Sequence, residues 1–187
     1  STPVEPIKKL KTIADIPHQY QLLTTQAEVE ALLPELLAQK EVCFDTETTS
    51  LEEMEAKIVG LALSWEVHKG YYILFPEDMA LAGQWLSLLK PFFESETILK
   101  IGQNLKYDLK ILANYGIEVS GKLFDTMIAH YLLNPDMRHN MDLLSEAYLD
   151  YKPIAIESLI GKRGKGQLTM RAVPAELQKE YAVEDTD

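Results

Sequence analysis

The stretch Glu41 to Leu51 reads E-V-C-F-D-T-E-T-T-S-L. Val42, Cys43 and Phe44 form a short apolar run of the kind that fills a buried strand. Asp45 and Glu47 follow, two apart, where that strand should end. Side chains two apart on a strand share a face, so both carboxylates leave the core edge side by side. Like charges that close raise each other's pKa unless a cation sits between them. Carboxylate oxygens are hard ligands suited to Mg²⁺ or Mn²⁺. The pair therefore reads as half of a metal site. A solvated strand end whose acids happen to alternate would look the same, so the rest of the chain has to decide.

The chain has 187 residues, enough for one domain with a sizeable core. At 47% hydrophobic and 25% charged it has the composition of an ordinary folded domain. Cys43 is the only cysteine, which rules out an internal disulfide. Within its apolar run it reads as a small core residue rather than a nucleophile. A formal net charge of −11 argues against a free-standing nucleic-acid clamp, which would be basic. It is compatible with an enzyme that meets phosphate through bound metal ions. No run is long and apolar enough to span a bilayer. The opening S-T-P-V-E-P lacks the basic-then-apolar layout of a signal peptide. The expected location is the cytoplasm, with no membrane partner.

Pro3, Pro6, Pro17 and a K-K-L-K run mark residues 1–17 as a linker or N-terminal arm. His18 to Leu23 has the length of a short strand. Thr25 and Glu28 have capping-box spacing, and Val29, Leu32, Leu33, Leu36 and Leu37 give that helix an apolar face, with a kink expected at Pro34. Ile58–Trp65 and Gly70–Phe75 are joined by a short connection, which predicts an antiparallel hairpin. Asp78 caps a helix whose Trp85, Leu88, Leu89 and Phe92 share a face. Thr97 to Ile101 is the next strand. A helix over Lys106 to Tyr115 closes at Gly116. Leu123 and Phe124 are a marginal candidate for a last strand, and helices follow over Asp125–Leu133 and Met141–Leu149. Pro174 opens a final helix that runs to the chain end. The expected fold class is α/β: a five-stranded mixed sheet with helices on both faces.

Two more stretches carry acids at telling spacings. Asn104 and Asp108 are four apart at a helix start, so they share a face. That helix follows a strand, and its N-terminus should open at the strand's carboxyl end, where open α/β sheets bind ligands. Tyr181 and Asp185 repeat the spacing on the final helix. The carboxylate completes a metal site, and the phenol can orient a water that attacks phosphorus. Taken singly, each is also an ordinary surface acid. The four histidines, His18, His68, His130 and His139, have no zinc-site spacing. The loop Lys162 to Lys165 lacks a P-loop ending and reads as a solvated turn rather than a phosphate cradle.

Together these stretches resemble one family. F-D-T-E-T at Phe44 to Thr48, N-L-K-Y-D at Asn104 to Asp108 and Y-A-V-E-D at Tyr181 to Asp185 are similar to the three exonuclease motifs of the DEDD superfamily. Tyr181 marks the tyrosine subtype; the histidine subtype has His where Glu180 stands. From His18 onward, F-D-T-M-I-A-H-Y-L-L-N-P at Phe124 to Pro135, R-H-N-M-D at Arg138 to Asp142 and K-G-Q-L at Lys165 to Leu168 resemble the proofreading domain of bacterial DNA polymerase I. The resemblance implies a ribonuclease H-like fold and 3′→5′ hydrolysis of DNA with two divalent ions, Mg²⁺ or Mn²⁺, roughly 4 Å apart. By that likeness Asp45, Glu47 and Asp185 bind one ion, Asp45 bridges to the second, and Asp108 holds the second. Tyr181 with Glu47 positions the water. Leu51, Gln103, Asn104 and Arg138 match positions near the 3′-terminal nucleotides. Where some relatives have an aromatic residue for stacking, Ile156 stands here. The implied partners are single-stranded DNA 3′ ends or frayed primer termini, and the polymerase domain of a parent chain.

The same likeness makes residues 18–187 an exonuclease domain that stops inside its final helix, with the polymerase domain absent. A last turn without continuation should fray, and Glu184, Asp185 and Asp187 burden the negative end of its dipole. Loose or partial metal binding is expected in consequence. Two rival readings share the residues: a ribonuclease D-like RNA exonuclease, and a non-catalytic module that supports a polymerase. The intact acids speak against the second.

Overall fold

The computed structural model describes residues 9–187. The first part of the expected arm, residues 1–8, lies outside the described residues. From Lys9 on, the chain makes a 3₁₀ turn at Ile13–Asp15. Lys11 forms a parallel bridge with Tyr151.

The sheet contains β1 (Gln19–Leu23), β2 (Glu41–Thr48), β3 (Ile58–Glu66), β4 (Lys69–Leu74), β5 (Leu99–Gly102) and β6 (Leu123–Asp125). Their order is β1-β4-β3-β2-β5-β6, which makes six strands among the described residues rather than the five expected. Both marginal segments pair: β1 runs parallel to β4, and β6 runs parallel to β5. β2, β3 and β4 are antiparallel neighbours, so the sheet is mixed as expected. β2 also runs on past the point where an end was expected. Its ladder with β3 continues to Thr48, so Asp45 and Glu47 lie within the strand.

The helices are α1 (Gln26–Leu37), α2 (Met79–Leu88), α3 (Lys90–Phe93), α4 (Leu105–Asn114), α5 (Thr126–Leu133), α6 (Met141–Leu149), α7 (Ile156–Ile160) and α8 (Ala175–Thr186). The Thr25–Glu28 capping box is formed, and α1 continues through Pro34. Asp78 caps α2 by accepting from the Leu81 N–H at 2.8 Å. Gly116 follows α4 with φ +72°, the left-handed conformation that favours glycine.

β3 is apolar on both faces, and alternate residues go to different cores. Leu61 and Leu63 join Val29, Leu36, Phe44, Phe92 and Leu112 beneath α1 to α4. Ala62 joins Tyr20, Tyr72, Ala182 and Val183 beneath α8. Two glycines let α8 settle on the sheet. A Cβ at Gly70 would stand 2.4 Å from the Val183 side chain, and one at Gly60 would stand 2.0 Å from the Tyr72 hydroxyl. The Tyr72 ring thus fits, and its hydroxyl donates to Gln178 of α8 at 2.7 Å.

The fraying expected of the last turn is opposed by contacts that sequence spacing does not reveal. Asp187 accepts from the Tyr20 hydroxyl and from the His68 backbone N–H, both at 2.7 Å. Glu184 accepts from the Ile154 N–H at 2.7 Å and from the Tyr151 hydroxyl. The acids that burden the helix dipole are the groups that hold its end. Ala182, Val183 and Thr186 are buried in the same turns. Among the described residues, no helix is long and apolar enough to cross a membrane.

Candidate active site

Four acids from three separate stretches influence one another here. Asp45 and Glu47 come from β2, the strand that pairs with β3 on one side and β5 on the other. α4 starts at the carboxyl end of β5 and carries Asp108 in its first turn. α8 crosses the other face and supplies Tyr181 and Asp185.

Asp108 is buried, and its Oδ1 accepts from both the N–H and the hydroxyl of Thr46, at 3.0 and 2.5 Å. Thr46 points to the opposite face from its neighbours Asp45 and Glu47 in the strand register. The threonine between the two motif acids is therefore the group that holds the third. No spacing rule in the sequence identifies it.

Burial pushes all four carboxyls above their ordinary range, and charges within the cluster add to the rise of Asp45 and Glu47. For Asp45, burial dominates, followed by the charges of Asp108, Glu47 and Asp185, and its pKa lies well above the usual value. Burial, then Asp185 and Asp108, lifts Glu47 to about 8. Burial and the Glu184 charge lift Asp185 to about 7, while a hydrogen bond from Tyr181 pulls it part-way back. Burial lifts Asp108 to about 6 against the two Thr46 bonds, which favour its charged form. Burial, then Asp185, Glu47 and Asp45, raises the Tyr181 phenol, so it stays protonated. The Cys43 thiol, two residues before Asp45 in the strand, is pushed up to about 12 by burial, which leaves it a poor nucleophile.

This donor set is all oxygen, largely desolvated and rich in repelling negative charge, which suits a hard divalent cation. Among the described residues, no three His, Cys, Asp or Glu side chains form a finished metal-holding group. The fit lies in donor chemistry and charge.

The expected substrate contacts lie in different settings. Leu51 is 83% exposed on the loop after β2. Tyr107 anchors that loop by donating to the Ser50 carbonyl at 2.6 Å, and Lys110 pairs with Glu53 at 2.7 Å. Gln103 is held within the fold: its Nε2 donates to the His139 carbonyl at 2.7 Å, and its Oε1 accepts from Thr126. Asn104 is exposed, takes the left-handed φ of 58° and forms no side-chain cap. Its helix is capped instead by Asp125, whose oxygens accept the Asn104 and Leu105 N–H groups at 3.1 and 2.9 Å. Asp125 also caps α5 through the Met127 and Ile128 N–H groups. One acid thus joins two helix starts beside the site. Arg138 is exposed on the turn between α5 and α6. Ile156 packs with Val59, Met170 and Val173, beside Tyr181.

The sequence model of a 3′–5′ exonuclease family matches residues 20–187. DNA polymerase I of Borreliella burgdorferi is 34% identical over 172 residues, covering 90% of this chain and 18% of the relative. DNA polymerase I of Pseudomonas aeruginosa is 36% identical over 177 residues, covering 90% and 19%. This chain belongs to the 3′–5′ exonuclease domain family of DNA polymerase I. It spans about a fifth of the length of these polymerase relatives. Escherichia coli RNase D, a solved structure, superposes with a TM-score of 0.68 at 22% identity, covering 90% of this chain and 41% of that one. That likeness establishes the ribonuclease H-like fold of the exonuclease domain. The chain is thus a 3′–5′ exonuclease domain, and exonucleases of its family use divalent metal ions.

Proposed function

We propose that this domain removes nucleotides from DNA 3′ ends as the proofreading module of a DNA polymerase I. It takes single strands and frayed primer termini, works beside the polymerase domain of its parent chain, and operates in a bacterial cytoplasm. The observation that carries this reading is the mutually repelling cluster of Asp45, Glu47, Asp108 and Asp185 with Tyr181 against it. Asp45, Glu47 and Asp185 would hold one divalent ion, Mg²⁺ or Mn²⁺, and Asp45 with Asp108 a second. Bound there, the two ions supply an acidified water and charge to offset the attacking and leaving oxygens.

The protein's own groups do the rest. Tyr181 keeps its proton, so its hydroxyl can fix the orientation of an attacking water shared with Glu47. Thr46 holds the Asp108 carboxylate in one rotamer toward the cluster. Leu51, exposed on the loop after β2, wedges against the terminal base. Arg138 neutralises a backbone phosphate, with Asn104 and Gln103 beside the terminal nucleotide.

A ribonuclease D-like preference for RNA is the second reading, favoured by the shared fold. The 34% and 36% identities to DNA polymerases favour DNA. The test uses matched 5′-labelled DNA and RNA strands with Mg²⁺. A ladder shortening from the 3′ end on DNA, absent in Asp45→Ala, is expected. Faster cleavage of RNA would transfer the domain to the second reading, and no ladder on either strand would sink both. Mispaired ends should be cut faster than matched duplex, because each pair melted costs energy.

A further inference from the structure

His130 and His139 are nine apart in sequence and fall on either side of the turn that carries Arg138. The fold brings their Nδ1 atoms to 2.6 Å. His130 is 5% exposed, on α5, with its ring edge-on to Tyr148 at 5.7 Å. His139 also meets the Tyr131 ring at 5.4 Å, and its carbonyl accepts from Gln103 Nε2. The other end of the turn is tied as well. The Asn134 N–H donates to the His130 carbonyl at 2.8 Å, and the Asn134 amide donates to the Tyr148 hydroxyl at 3.1 Å. Arg138 itself projects from the turn, exposed, one residue before the clasp.

The tautomers follow from satisfaction of buried groups. Among the described residues, His130 Nε2 is buried without a hydrogen-bond partner. An unpaired N–H there would leave a strong donor unmet, whereas a bare ring nitrogen leaves only a weaker acceptor demand. His130 therefore carries its proton on Nδ1 and donates to His139 Nδ1. His139 carries its own proton on Nε2.

We propose that the His130–His139 hydrogen bond is a positioning clasp that sets the height and direction of Arg138 over the DNA strand. Through Gln103 the clasp also ties that turn to the start of α4, the helix that carries Asp108. The contacts of the two histidines are with each other, Gln103, Tyr131 and Tyr148 rather than with the four carboxylates, so the clasp acts on strand capture rather than on hydrolysis. The proposal rests on the reading of Arg138 as a phosphate contact.

The test measures KM and kcat for a 5′-labelled single-stranded DNA with Mg²⁺. An asparagine amide reaches about where Nδ1 stands, and a glutamine amide about where Nε2 stands. His130→Gln should raise KM about tenfold with kcat nearly unchanged, the scale of one lost buried hydrogen bond. His130→Asn should restore KM to within about twofold of the parent, since it supplies a donor at the Nδ1 position. Circular dichroism checks that both variants fold. Arg138→Ala should raise KM by a similar factor, and His130→Gln in that background should add little. In ¹⁵N spectra of the parent, His130 should show the Nδ1–H tautomer. If Arg138→Ala leaves KM unchanged, the phosphate reading falls and the clasp has nothing to position. If Arg138→Ala raises KM and folded His130→Gln does not, the clasp alone is wrong. A kcat loss equal in both histidine variants, with KM unchanged, would also overturn it.

Discussion

Thr46 donates twice to one oxygen of Asp108, from its N–H at 3.0 Å and from its hydroxyl at 2.5 Å. The strand that presents two of the acids therefore grips a third from the helix beside it. Thr46→Val keeps the N–H and the shape but removes the hydroxyl. At about pH 8, where Asp108 is charged, the loss should cost about 2 kcal/mol, the scale of a hydrogen bond to an ionised group. Near pH 5, below the Asp108 value of about 6, the cost should shrink. Urea unfolding at both pH values in metal-free buffer checks it. An equal cost at both would mean that the hydroxyl serves packing rather than the carboxylate.

The acid cluster predicts an unusual pH dependence without metal. Glu47 at about 8, Asp185 at about 7 and Asp108 at about 6 each bind a proton more tightly folded than unfolded. The folded state therefore holds more protons across this window, and stability falls as pH rises through it. His18, also raised, by its bond to the Ile16 carbonyl against opposing burial, adds in the same direction. In chelator, Tm should climb by more than about 5 °C between pH 8.5 and pH 5.5. Mg²⁺ should raise Tm most at the alkaline end, where the carboxylates are charged. A Tm that rises with pH in chelator would contradict the cluster.

Asp45 has the most company among the four acids, since Asp108, Glu47 and Asp185 all raise it. Asp45→Asn should reduce hydrolysis on the order of a thousandfold, through loss of charge that holds metal against phosphate. Its metal-free stability should hold or rise, because one repelling charge is gone. Calorimetric unfolding in chelator, set beside the cleavage assay, separates the two effects. A large drop in metal-free Tm would mean that Asp45 has a structural partner.

Tyr181 is assigned to orientation of water, not to metal binding. Tyr181→Phe should slow cleavage roughly 10- to 1,000-fold, the range for positioned acid–base groups. Metal affinity, read by titration calorimetry, should stay nearly constant. Loss of affinity in step with rate would give the phenol a different role.

The Tyr20 hydroxyl bonds to Asp187, two residues beyond Asp185. Tyr20→Phe should cost about 1 kcal/mol of stability. It should also weaken Mg²⁺ binding about two- to fivefold, because a ligand on a looser helix turn strays from its productive place. Unchanged affinity with reduced stability would show that Glu184 and the buried Val183 and Thr186 hold the turn without Tyr20.

What the sequence determined is local. The spacing of Asp45 and Glu47 fixes a shared strand face, and the spacing of Tyr181 and Asp185 fixes a shared helix face, because backbone geometry repeats every two or 3.6 residues. The Thr25–Glu28 box, the Asp78 cap and the 58–74 hairpin are legible for the same reason. The motif likeness added which of these pieces belong to one site. Only the tertiary structure decided how they are held. The pairing of β1 and β6, the grip of Thr46 on Asp108, the reach of Asp125 to the start of α4 and the Asp187 anchor join residues far apart in sequence, and His130 meets His139 only once the turn between them has folded. Leu123 and Phe124 are too few to declare a strand until β5 offers its edge. Asp187 looks like a destabilising charge on a helix end until Tyr20 and the His68 N–H turn toward it. Periodicity says which way a side chain leaves its own element. What it meets there is set by packing summed over the whole sheet and its two helical layers.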